Sequence, residues 1–399
     1  MASPGIAAKG VPPRRRPPRL RTAGDAVAER HATNLELFFD LVFMVAVAEL
    51  AELLIDDPTP AGFLRYGLLF VPVCWAWVGY TFLADRFDND DVPHRVVMIS
   101  AMLAVGGLAL ALPHAFGGGS GPIRFAAGYV VVRVLLILLY ARAHLHVETA
   151  RPLTARYLTG FVLGAAVWLL SIFVPAGAVR YGLWCLGLAV EMLTPLLSAK
   201  AIARVPFHVS HIPERFGLFV LIVLGETVAL DAIGITEGGA DPVAMAAAAS
   251  GFLITAALWW LYFDCVDPSP LRRWLWTGAA YVYGHLVIFA GVTLTGVGTL
   301  LSALSVSRPD LTGTARWALC GGTGGFLLAI GLIHWVDKAP RGDLRAWTRV
   351  SLGAICLVVG ALGTGLPPMA VEGILAIGLA GQVFLELHRI CPPLGTHRQ

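Results

Sequence analysis

The stretch Asn34-Leu35-Glu36-Leu37-Phe38-Phe39-Asp40-Leu41-Val42-Phe43 decides how this chain is read. It opens a run that stays apolar to Ile55, long enough to cross bilayer hydrocarbon as a helix. Yet it places two carboxylates four residues apart, on one helical face. An ionisable side chain inside a span costs a few kcal/mol on insertion scales and faces protein or a water-filled path. Glu36 and Asp40 are therefore candidate site residues, with Asn34 positioned to cap the helix. A near echo, Glu214-Arg215-Phe216-Gly217-Leu218-Phe219-Val220, begins another apolar run in the second half of the chain. The spacing of the two stretches predicts a duplicated chain.

Composition agrees with a bilayer setting. Of 399 residues, 57% are hydrophobic and only 14% charged, and the mean hydropathy is +0.73; soluble domains of that size need more polar surface. Lys9, Arg14, Arg15, Arg16, Arg19, Arg21 and Arg30 crowd the segment ahead of Asn34, with Pro12, Pro13, Pro17 and Pro18 among them. That pattern predicts a disordered tail, residues 1–33, able to lie on anionic headgroups rather than on nucleic acid. The six cysteines fall singly, with no metal-ligand spacing, and read as packing residues.

Apolar runs bounded by charge, Pro or Gly mark twelve helices at 34–55, 63–84, 95–115, 122–142, 153–174, 178–199, 214–235, 242–265, 273–300, 315–336, 346–366 and 369–390. The expected fold class is an all-α integral membrane protein with twelve transmembrane helices in two six-helix repeats, 34–200 and 214–390. A cytoplasmic linker at 201–213 joins them, and a tail follows at 391–399. With the amino terminus inside, 23 of the 29 basic residues fall in inner segments, the bias expected of cytoplasmic loops. Both termini are then cytoplasmic. Gly291, Gly296 and Gly298 in the long ninth run are expected to kink or shorten it.

Other polar positions follow from depth. Glu49 lies far up the first helix, on the opposite face from Asp40. Arg133 and Glu191, in the fourth and sixth runs, stand at similar depth with opposite sign, which predicts a buried pair. His208-Val209-Ser210-His211 ahead of Glu214 and Arg215 places two imidazoles where the second half enters the membrane; without a third ligand this predicts no metal site. Glu226 and His285 are the deep polar groups of the second half. Glu386 and His388 sit near inner helix ends and Asp85 to Asp91 in an inner loop, where hydration is the default.

Glu36-Leu37-Phe38-Phe39-Asp40-Leu41-Val42-Phe43, His211-Ile212-Pro213-Glu214-Arg215-Phe216-Gly217-Leu218-Phe219, the Gly225-Glu226 that follows and Trp260-Leu261-Tyr262-Phe263 together resemble the bacterial low temperature requirement A family. The resemblance implies a multi-pass protein of the bacterial inner membrane, linked by the family's name to growth in the cold and to no settled biochemical activity. A fainter likeness, through Phe38-Phe39-Asp40, is to two-repeat potassium-leak channels, and the second half departs from it at Leu218.

No nucleotide loop, dinucleotide fingerprint or nucleophile triad is present, so no catalytic or cofactor-binding residue is expected. The leading expectation is a solute or proton-coupled transporter acting on a small solute or ion, with Glu226 and Asp40 as candidate proton or cation sites. A passive cation channel and a membrane scaffold or lipid-handling protein are the alternatives; the sequence does not fix the oligomeric state.

Overall fold

The computed structural model describes residues 16–20, 32–205, 211–237, 241–263, 275–338 and 344–390. Each of the twelve apolar runs forms one helix. These are α1 (Asn34–Asp56), α2 (Pro60–Arg86), α3 (Val92–Ala109), α4 (Gly121–His146), α5 (Arg151–Ile172) and α6 (Ala178–Leu197), then, after a four-residue α7 (Ala199–Ile202), α8 (His211–Glu237) and α9 (Pro242–Phe263), followed by α10 (Leu275–Ala303), α11 (Gly313–Lys338), α12 (Leu344–Leu362) and α13 (Pro368–Leu385).

Among the described residues, ten helices are long and apolar enough to cross a membrane. The other two long helices, α1 and α6, are diluted by charge and proline: α1 carries Glu36, Asp40, Glu49, Glu52 and Asp56, and α6 carries Arg180, Glu191 and Pro195. On α1 the buried positions Glu36, Phe39, Asp40, Phe43, Val47, Leu50 and Leu54 recur at helical spacing, while Phe38, Leu41 and Val45 are exposed. Charge faces inward and hydrocarbon outward, the arrangement lipid imposes on a helix that carries acids. The chain is a multi-pass helical membrane protein.

The start of α1 is fixed by Thr33, not by Asn34. The Thr33 hydroxyl accepts from the Glu36 N–H at 3.3 Å, and the Thr33 N–H donates to Glu36 Oε2 at 2.7 Å. This is a capping box, which the sequence Thr33-Asn34-Leu35-Glu36 already spells.

In the packing, α1 lies against α2 and α3, α8 lies against α9 and α10, and α1 and α8 meet each other. From α3 to α6 each helix packs on the next, as do α10, α11 and α12, while α13 returns to α9. The ninth run does not end early, because α10 is continuous to Ala303. Its glycines serve close approach: a Cβ on Gly291 would stand 2.7 Å from the Gly322 carbonyl oxygen of α11, and a Cβ on Gly322 would stand 2.7 Å from that of Gly291. Gly324 of α11 and Gly353 of α12 repeat the arrangement at 3.0 Å. Small residues that let backbones touch are a common device of membrane bundles.

The expectation of a wholly unstructured tail is corrected at residues 16–20. Arg19–Leu20 form β1, paired antiparallel with β2 (Phe87–Asp88), Arg19 opposite Asp88 and Leu20 opposite Phe87. Asp91 holds this piece, accepting from the Arg16 N–H at 3.0 Å and from both Arg142 Nη atoms at 2.9 and 2.7 Å. The other tail residues to 31, the 206–210 stretch with His208, and the tail at 391–399 lie outside the described residues. Cys74, Cys185, Cys320 and Cys356 are unpaired, and Cys265 and Cys391 fall outside the described residues.

Candidate functional site

Three helices bring the two lead motifs together. Asp40 on α1 is fully buried, and its Oδ1 accepts from Trp77 Nε1 of α2 at 2.7 Å and from Arg215 Nη2 of α8 at 2.5 Å. Its Oδ2 makes no hydrogen bond among the described residues. Trp77 is aimed by its neighbours: Phe219 stacks on it with centroids 4.4 Å apart, and Phe216 meets its edge at 4.9 Å. Both phenylalanines sit in the same turns of α8 as Arg215, so the packing that positions the indole also positions the guanidinium.

One turn back on α1, Glu36 Oε2 lies 3.8 Å from Arg215 Nη1 and 3.6 Å from His211 Nε2. His211 is buried at the start of α8, and its Nδ1 is 3.1 Å from Asp85 Oδ1 at the end of α2. An imidazole thus stands between two carboxylates on two other helices. When it is neutral, one ring nitrogen donates and the other accepts; when it is protonated, both donate, one toward each acid. Reciprocally, Glu214 Oε1 of α8 accepts the Ala32 N–H just ahead of α1 at 3.2 Å. The two echoed acids therefore each reach across to the start of the other lead helix.

Asp85 is a correction. Read as a solvated loop acid, it lies in the last turn of α2 and is 1% exposed. Beside it Arg86 is also buried, over the rings of Phe82 and Tyr157 at 5.2 and 5.4 Å. Glu386 is corrected too: it is buried and held by Arg349, Nε to Oε1 and Nη2 to Oε2, both at 2.8 Å, with Gln382 donating to Oε1 at 2.7 Å. A bidentate guanidinium–carboxylate pair is the strong form of such a contact.

Arg133 and Glu191 meet with both side chains fully buried, Nη2 to Oε2 at 2.5 Å. Tyr129 completes the group, accepting from Arg133 Nε at 3.0 Å and donating to Glu191 Oε2 at 2.7 Å. Glycines make the room: a Cβ on Gly79 of α2 would stand 3.1 Å from Arg133 Nη1, and one on Gly164 of α5 would stand 2.9 Å from Glu191 Oε1. His285 is buried against the inner network through Phe216, 4.9 Å away centre to centre. Its Nδ1 lies 2.7 Å from the Tyr281 carbonyl, so that nitrogen carries the proton, and Nε2 accepts from the Tyr262 hydroxyl at 2.9 Å. A neutral imidazole satisfied on both sides is a packing group.

The remaining candidates are not gathered into the network. Glu226 is half-buried on α8 and faces Glu52 of α1, while Glu49 is half-buried beside the exposed Glu52. Asp231 and Glu372 are buried acids that the reading of the sequence passed over, as it passed over Trp77. Each acid stands within a few residues of a helix end, where hydration is the ordinary expectation. A signal existed for Glu372: it is the single charge in the otherwise apolar Pro368–Leu385.

Outside the spans, burial acts to raise the Asp91 pKa, but the Arg142 guanidinium and the Arg16 and His94 N–H groups outweigh it and lower the carboxyl from 3.8 to about 2. Among the described residues no group of three or more His, Cys, Asp and Glu is placed to hold a metal ion.

A relative described as an uncharacterized protein of Rhizobium meliloti (strain 1021) is 30% identical, with 76% of each chain covered. No solved structure matches the chain. The family model described as bacterial low temperature requirement A protein (LtrA) matches residues 31–384, a span that contains α1 with its two inward acids and α8 with its arginine, and on that match this chain belongs to the low temperature requirement A family.

Proposed function

We propose that the protein is a transporter of a small solute or ion in the bacterial inner membrane, with twelve spans in two six-helix halves, both termini cytoplasmic, and no catalysed reaction of its own. The observation that carries this reading is the network between α1, α2 and α8, in which Asp40, Glu36 and Asp85 surround Arg215 and His211 at the contact of the two lead helices. Buried ionisable groups at a boundary between halves are where transporters place ion and proton sites. Two features support the two-half description. The contacts of α1 with α2 and α3 recur as those of α8 with α9 and α10, and Glu36 and Glu214 cross reciprocally between the lead helices.

Proton or cation coupling is assigned to the carboxylates Glu226 and Asp40, on α8 and α1. In proteoliposomes with a trapped pH dye, solute-dependent proton entry against a gradient supports coupled transport. Ion conductance without coupling would mean a passive channel, and silence in both assays would mean a scaffold or lipid-handling role. Asp40→Asn should abolish coupling in a protein that still inserts.

A further inference from the structure

At the end of the bundle opposite His211, a second polar group is built only from oxygen. Asp231, about 30 Å along α8 from His211 at 1.5 Å per residue, is buried and accepts from Thr299 Oγ1 of α10 at 2.6 Å and Thr255 Oγ1 of α9 at 3.4 Å. Glu372 of α13 is fully buried nearby, within interaction range of the Ser302 hydroxyl of α10, the Ser250 hydroxyl of α9 and the Asp231 carboxylate. Neither Glu372 oxygen makes a hydrogen bond among the described residues, and neither does the buried Ser302 hydroxyl beside it. No Lys, Arg or His pairs with either acid among the described residues. The sequence makes this plain for three of the four helices: α9 has no charged residue, α10 has only His285, far toward its other end, and α13 has only Glu372.

Buried acids are normally matched, and this protein matches the others: Asp40 with Arg215, Glu191 with Arg133, Glu386 with Arg349. Asp231 and Glu372 depart from that pattern. The buried oxygens of Glu372 and the Ser302 hydroxyl lack partners among the described residues, and no basic group among them stands beside these oxygens to supply the missing positive charge. Carboxylates and hydroxyls are hard donors suited to hard cations. The two hydroxyl hydrogen bonds stabilise the Asp231 carboxylate without cancelling its charge, so a monovalent cation neutralises the two acids together with one proton held between them. Small residues keep the place open: a Cβ on Gly251 of α9 would stand 2.7 Å from Asp231 Oδ1.

We propose that Asp231 and Glu372, with the hydroxyls of Ser250, Thr255, Thr299 and Ser302, form a binding site for a hard monovalent cation of the sodium class. The proposal concerns binding alone and stands whether or not the inner network couples transport.

The test uses the full-length protein in detergent at pH 8, comparing thermal unfolding in sodium chloride with choline chloride at equal ionic strength. A ligand that binds the folded state raises the melting temperature with its concentration. The expected result is a saturable rise with sodium over choline in the wild type, absent in Glu372→Gln and in Thr299→Val. The second variant keeps the shape of the side chain and decides the matter should the first fold poorly. Equal melting in sodium and choline overturns the proposal. So does a response to magnesium or calcium alone, a sodium response that survives in both variants, or stabilisation by lowered pH with none by sodium, which would make this a proton-sharing pair.

Discussion

Asp40 and Arg215 meet at 2.5 Å across 175 residues of chain, and neither side chain is exposed to solvent. The contact joins α1 to α8. Removing the cation alone leaves a carboxylate buried without its partner, at a cost of about 3–5 kcal/mol. Arg215→Gln should lower the melting temperature and yield of purified protein, whereas Asp40→Asn with Arg215→Gln should be more stable than Arg215→Gln alone. Equal losses in the single and double variants would show that the two do not depend on each other.

The Arg133–Glu191 pair makes a parallel case inside the first half. Glu191→Gln keeps the shape and removes the counter-charge, so it should destabilise by roughly 3 kcal/mol or more. Exchanging the two charges, Arg133→Glu with Glu191→Arg, should recover part of that loss. A double-mutant cycle on unfolding in detergent gives the coupling, and a coupling near zero would remove the pair from any account of stability.

Asp91 sets an acid limit on the docked tail. Its pKa is lower in the folded protein, about 2 against the ordinary 3.8, so the stability it contributes is present above about pH 4 and is lost as pH falls toward 2. Protease cleavage near Arg19 should therefore rise through that window with a protease active in acid. Asp91→Asn should be cleaved readily at neutral pH, with no further rise attributable to this contact.

The orientation is open to chemical labelling in a background without native cysteines. Cysteines at the exposed positions Thr59, Glu237 and Pro367 should react with an impermeant thiol reagent added outside cells, and those at Asp90, Glu148 and Ala203 should react only after permeabilisation. Reversal at two or more of these would break the twelve-span arrangement.

The helices were legible because a span needs about twenty apolar residues and little else; the runs 34–55 and 315–336 needed no knowledge of their neighbours. Arg133 and Glu191 were legible for a related reason, since equal depth and opposite sign are properties of position along the chain. Asp85, Glu386, Asp231 and Glu372 were not. Each lies within a few residues of a helix end, where the sequence cannot distinguish a hydrated acid from one covered by adjacent helices. That difference depends on which helices lie beside it: His211 covers Asp85, and Arg349 covers Glu386. The resting place of residues 16–20 was hidden likewise, because it rests on Arg142 and Asp91 converging from α4 and the start of α3.

The glycine contacts along α10, α11 and α12 have a mechanical meaning. Where Gly291 meets Gly322 and Gly324 meets Gly353, the backbones touch with no side chain between them, and a slide of one residue would drive a Cβ or a larger group into a carbonyl. These three helices form a stiff spine. The boundary of α1 and α2 with α8 is instead filled by long side chains, Arg215, Trp77 and His211, whose rotamers can change while the helices stay intact. On the proposed transport reading, any rocking of one part of the bundle against another falls to that compliant flank, where the charges are gathered.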